Sequence, residues 1–206
     1  MAKVVKKYLD NGQLYEEYFE NDGKIEGEYK KYWTNLSGIC NSSNEKLEGG
    51  QIFKLYNYVD GKKEGEYKIY HINGKTSNIG NYNNNKKEGE NKSYYDDGQL
   101  SNICNYVNGK IEGKYKEYYE NGQPYVLCNY VDGKKEGEYK TYYNNGQLET
   151  ICNFVDGKEA GETKHYHKNG QLSKTFSCVN GKIEGEYKTY DENGQLLERH
   201  YFVNGK

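Results

Sequence analysis

His165 and His167 lie two residues apart, so an extended strand would turn both rings to one face, a spacing able to bind a metal or polarise a substrate. No serine, cysteine or carboxylate arrangement joins them as a nucleophile or base. Both align with columns that other copies of the same pattern fill with Thr or Glu and with Tyr, so a substitution within a binding face is the simpler reading. No residue is assigned a catalytic role. The cysteines invite a second chemistry, because Cys104, Cys128 and Cys152 recur at one position of successive copies, with Cys40 and Cys178 elsewhere. Equivalent positions two strands apart are about 9.5 Å from one another. A disulfide needs Cα atoms within about 6.8 Å, and zinc–thiolate bonds of about 2.3 Å exclude a shared metal. Tyr18, Tyr56 and Phe176 fill the same column, so the cysteines read as small apolar fillers. The tract GKKEGE has the glycines of a phosphate loop but neither the G-x-x-x-x-G-K-[ST] pattern nor a following helix to hold an anion. No cofactor and no metal follows from these residues.

The glycines belong to a repeat. That of E-G-E-Y stands at 27, 65, 89, 113, 137, 161 and 185, and that of N-G-Q-L at 12, 50, 74, 98, 122, 146, 170 and 194. After the first step every interval is 24, and one insertion of 14 residues within 34–48 accounts for both irregular steps. Residues 1–206 therefore read as a single array, and such a period means stacked supersecondary units. Asn145-Gly146 and Asp156-Gly157 are dipeptides that type I′ hairpin turns prefer. Runs rich in Tyr, Thr, Ile and Phe lie between them, and no segment has a helical period. The expected fold is all-β: an elongated single-layer antiparallel meander of about eight 24-residue hairpin repeats.

A two-residue turn at Asn145-Gly146 predicts a register: Tyr143 opposite Leu148, Thr141 opposite Thr150, Tyr139 opposite Cys152 and Gly137 opposite Phe154. It places Gly, Tyr, Leu, Cys and Phe on one face, and Glu138, Lys140, Tyr142, Glu149, Ile151 and Asn153 on the other. Phe154 would then cover the bare backbone of Gly137. The turn at Asp156-Gly157 would put Cys152 opposite Gly161.

Composition narrows the function. Only 33% of residues are hydrophobic and 29% are charged, with 25 Tyr and 25 Gly standing in for scarce Leu, Ile and Val. A net charge of -2 with Lys and Glu interleaved argues against direct nucleic-acid binding, which needs a basic stripe. The start, MAKVVKKYLDNGQ, has no apolar core of an export signal, and no run is long enough to cross a membrane, so a cytoplasmic protein is expected.

The unit D-G-K-x-E-G-E-Y-K-x-Y-Y-x-N-G-Q-L resembles the MORN-repeat variant over nearly the entire chain. The resemblance implies a protein-binding or dimerisation scaffold, with lipid association proposed for some members. The same variant defines a family labelled as antitoxins of toxin–antitoxin modules. Asn91 and Thr163 depart from it at the Tyr of E-G-E-Y, Asn85 at the glycine of D-G-K, and Cys178 at an aromatic position.

The aromatic columns carry the functional expectation. Tyr70, Tyr94, Tyr118, Tyr142, Tyr166 and Tyr190 form one line, and Tyr95, Tyr119 and Tyr143 form another on the opposite face, continued by Trp33, His71 and His167. A one-layer sheet leaves aromatic surface open, and exposed aromatic patches mark interaction sites. The candidate partner-binding residues are Trp33, Tyr94, Tyr95, Tyr118, Tyr119, Tyr142, Tyr143, His165 and His167, with the insertion beside Trp33 a second candidate. The expected partner is a protein, in the antitoxin reading a toxin of nuclease type. Homodimerisation through a sheet edge or the aromatic face is a further expectation. The alternative is a structural or membrane-tethering scaffold that dimerises or binds lipid head groups. It would want basic clusters beside apolar residues, and the interleaved charges do not supply them.

Overall fold

The computed structural model describes residues 1–34 and 50–206. Apart from Thr34, the insertion lies outside the described residues, as does Cys40. Among the described residues the chain is all-β, with nineteen strands and no helix. The expected antiparallel meander of hairpin repeats is the fold observed. The strands cluster into two compact units, one of Met1–Leu100 with Tyr106–Gly109, the other of Ser101–Asn105 with Lys110–Lys206. Within each unit, successive strands pair as antiparallel neighbours.

The two turn types differ, and one departs from expectation. Asp156 and Gly157 both have positive φ, 52° and 78°, as a type I′ turn requires. Asn145 is not among the residues of positive φ, whereas Gly146 has φ 84°. The Gly146 N–H donates to the Tyr143 carbonyl and the Tyr143 N–H to the Gln147 carbonyl, each at 2.8 Å. That is a three-residue loop, a β-turn closed by a left-handed glycine, rather than a two-residue I′ turn.

The longer loop shifts the register next to it. Gly137–Tyr142 pairs with Leu148–Val155 as expected from Gly137↔Phe154 to Thr141↔Thr150. Then the ladder slips, and Leu148 faces Tyr142 instead of Tyr143. Paired residues share a face, so Leu148 joins Tyr142 and Ile151. Glu149 moves the other way, and its carboxylate accepts a hydrogen bond from the Thr141 hydroxyl at 3.1 Å.

A second correction concerns the E-G-E glycine. Leu148–Val155 pairs with Lys158–Tyr166 through Asn153↔Ala160 and then Ile151↔Lys164, so Cys152 meets an irregular segment rather than a simple partner at Gly161. Gly161 has φ +77° there, a conformation that L side chains rarely adopt. Steric cover is not its purpose. At Gly137 an added Cβ would have nothing within 4 Å, so the glycine answers its φ of +77°. Phe154 packs on Tyr139 instead, with ring centroids 5.4 Å apart.

Within each unit the buried side chains lie on one face, which in the second unit is the face of Tyr139 and Cys152. In the first unit they are Tyr18, Tyr56, Tyr67 and Asn91, and in the second Cys104, Val126, Thr141, Cys152, Thr163 and Cys178. Lysines lid this face by lying over rings. The Lys63 ammonium is 4.0 Å from the Tyr56 ring centre and 5.1 Å from that of Tyr82. Lys135 repeats the arrangement over Tyr139 and Phe154, at 4.2 and 5.1 Å.

Candidate binding face

Each repeat must fasten to the next, and the strand ladder is supplemented at both of its ends. At the D-G end, the Gly157 N–H donates to the Lys135 carbonyl at 3.0 Å, and the Asp156 N–H to the Glu136 carboxylate at 2.8 Å. Glu26, Glu64, Glu88, Glu112 and Glu184 serve the same way. This is why the motif opens with a glutamate. Ala160 is the departure, with no carboxylate to offer Asn180.

At the N-G-Q end the staple is aromatic. The Tyr119 hydroxyl donates to the Tyr142 carbonyl at 2.8 Å, and that of Tyr143 to the Tyr166 carbonyl at 2.7 Å. His71 and His167 make the same contact with the carbonyls of Tyr94 and Tyr190, at 2.8 and 2.9 Å. A carbonyl only accepts, so Nε2 of each imidazole carries the proton. Asn73, Asn121, Asn145 and Asn169 add parallel amide bonds to the next repeat.

The nine expected partner-binding residues therefore divide. Tyr119, Tyr143 and His167 hold repeats together. Trp33 stands in the same column; its N–H donates to the Gln51 carbonyl at 2.8 Å, its ring packs on Phe53 at 4.1 Å, and its buried Nε1 has no partner among the described residues. Tyr95 occupies the equivalent place, with its N–H on the Gln99 carbonyl. His165 sits in the packed face, where Thr150 Oγ1 meets its Nδ1 at 2.9 Å and Phe176 stacks at 5.9 Å. Sequence reasoning missed the staples, although a signal existed. Between Leu9 and Asp191 at its ends, the column reads Trp33, His71, Tyr95, Tyr119, Tyr143 and His167, rings that all carry a donor and never Phe.

Tyr118 and Tyr142 stand on the opposite face of the second unit, where the alternation of the strands continues their line through Tyr166 and Tyr190, and Tyr94 holds the equivalent strand position in the first unit. These rings are half-buried, and Tyr142, Tyr166 and Tyr190 make no side-chain hydrogen bond among the described residues. Beside them run Leu127, Leu148 and Ile151, and ion pairs Glu138–Lys140 and Glu162–Lys164 at 2.7 Å. Such exposed pairs add little stability, but they leave the face charge-balanced. Two shallow depressions open on it. One, of about 480 Å³, is lined by Leu127, Asn129, Glu138, Lys140 and Tyr142. The other, of about 230 Å³, is lined by Ile151, Asn153, Glu138, Glu162 and Lys164. A row of exposed valines, Val131, Val155 and Val179, follows the same alternation.

The cysteines sit where an inert filler would. Burial pushes the thiol of Cys128 up to about 11 and that of Cys152 up to about 12, which keeps both protonated and unreactive at neutral pH. Thr163, 1% exposed, replaces the motif tyrosine, and its hydroxyl donates to the Glu159 carboxylate. No helix among the described residues is long and apolar enough to cross a membrane.

The family model described as "MORN repeat variant" matches residues 87–108, 111–132, 135–156, 160–177 and 183–204, together about half of the chain. No curated protein matches the sequence. Among solved structures, one titled "Crystal Structure of TcdB2-TccC3-Cdc42" aligns at 12% identity with a TM-score of 0.21. That alignment covers 95% of this chain and 13% of the other.

Proposed function

The chain belongs to the MORN repeat variant family, and from that premise we propose that it is a repeat scaffold whose Tyr142–Tyr166–Tyr190 face binds a protein partner. One observation carries this reading: the opposite aromatic column is spent on fastening repeats, whereas these phenols make no side-chain hydrogen bond among the described residues. Unspent aromatic surface with aliphatic neighbours and neutral charge balance suits a protein interface more than a phosphate-rich one. On this reading the face acts by covering its partner. Within this family, the finer reading is an antitoxin working in the cytoplasm, which neutralises a toxin of nuclease type by occluding its active surface.

The test is an affinity pull-down from source extract, combined with co-expression with the product of the adjacent gene. A stoichiometric complex that renders a growth-inhibiting protein harmless supports the reading. Tyr142→Ala with Tyr166→Ala should then weaken binding by about 30-fold or more, the scale of a 2 kcal/mol anchor. Recovery of lipid alone, or of structural proteins with no toxicity to suppress, would replace it with the tethering scaffold.

A further inference from the structure

The last N-G-Q turn is wired differently from the others. In the turns of Asn121, Asn145 and Asn169 the asparagine side chain is tied at both ends, and Asn11 keeps its tie to the Gln13 N–H at 3.0 Å. Asn121, Asn145 and Asn169 accept from the backbone N–H two residues on, at 3.0, 3.0 and 2.9 Å. Their amide nitrogens meanwhile donate to the carbonyls of Asn144, Lys168 and Glu192, at 2.7, 3.3 and 2.7 Å. Asp191 changes this in the final turn. It stands in the column of Tyr143 and His167, and its carboxylate takes the Gln195 N–H at 2.8 Å as well as the Asn193 N–H at 2.9 Å. The exposed Asn193 side chain is left with neither tie among the described residues.

We infer that Asn193-Gly194 is a site of spontaneous covalent modification, the point at which this array deamidates first among its N-G-Q turns. Glycine offers no side chain to hinder approach to its nitrogen. The Gly194 nitrogen attacks Cγ of Asn193, and an N–Cγ bond forms as the Cγ–Nδ2 bond breaks. Ammonia leaves with the displaced amide proton. Water then opens the five-membered ring at either carbonyl, giving aspartate or isoaspartate. Ring closure requires the side chain to rotate onto the following nitrogen. The tie to the N–H two residues on resists that rotation in Asn121, Asn145 and Asn169, and at Asn193 the Asp191 carboxylate has taken it. The Gly194 N–H itself donates to the Asp191 carbonyl at 3.0 Å, much as Gly146 donates to Tyr143 at 2.8 Å, so the difference lies in the side chain.

Ageing the full chain at mildly alkaline pH, with peptide mapping by mass spectrometry, tests this inside one molecule. Deamidation at Asn193 is expected several-fold faster than at Asn121, Asn145 and Asn169. Asp191→Tyr returns the Gln195 N–H to Asn193 and should slow that site specifically. Loss at Asn145 or Asn169 as fast as at Asn193 would overturn the inference, as would an Asp191→Tyr chain whose Asn193 reacts at the original rate.

Discussion

The hydroxyl of Tyr143 donates to the main-chain carbonyl of Tyr166, one repeat further on, at 2.7 Å. Two residues of the same aromatic pattern thus have different tasks. Tyr143 spends its polar atom on the next repeat, and Tyr166 lends only its backbone and keeps its ring for the opposite face. An array gains stability from nearest-neighbour interfaces, and this bond belongs to one.

Removing the hydroxyl separates the two tasks. Tyr143→Phe leaves the Tyr166 carbonyl without that donor and should cost about 0.5–1.5 kcal/mol. Tyr142→Phe should change stability by less than about 0.5 kcal/mol. Urea titrations of the two variants check this through their midpoints, and equal losses would show that the staple contributes nothing. His167→Tyr should be tolerated, because it keeps a donor at the ring tip.

Gly80 and Asn91 are mutually adapted. A Cβ at Gly80 would come within 2.3 Å of the Asn91 amide nitrogen and 3.0 Å of Tyr67 Cε1. The Asn91 amide donates to the Tyr67 hydroxyl and to the Ile79 carbonyl, and Tyr67 is 2% exposed. Gly80→Ala should therefore cost about 1–3 kcal/mol by overpacking. Combined with Asn91→Ala, the loss should be less than additive by about 0.5 kcal/mol or more, a coupling that a double-mutant cycle measures. Strict additivity would deny the contact any role.

Burial, reinforced by the Lys174 charge, lowers the His165 pKa from its ordinary 6.5, with Glu159 and Glu149 only partly offsetting it. The unfolded chain thus binds a proton that the folded one refuses. Stability from this group is complete above about pH 6.5 and declines as pH falls below it, until the folded value is reached. His165→Gln should abolish that component. The difference between wild-type and variant melting temperatures, followed from pH 7.5 down to 5.5, should shrink as pH falls if the sign is right; a constant difference would refute it.

The 24-residue period, the turn dipeptides and the alternation of apolar residues were enough to determine an all-β hairpin array and the pairing from Gly137↔Phe154 to Thr141↔Thr150. Those features are local, because strand alternation and positive-φ turns act over a few residues. The type I′ turn at Asp156-Gly157 followed for the same reason. Tertiary structure decided the rest. Asn145-Gly146 was free to close a longer loop, and the slip beside it carried Leu148 to the face of Tyr142 and Glu149 to that of Thr141. Which aromatic column ties its polar atoms to the next repeat was also decided between repeats. The carbonyls that Tyr119, Tyr143 and His167 reach lie 23 residues away, and no single repeat encodes where its neighbour's backbone will stand.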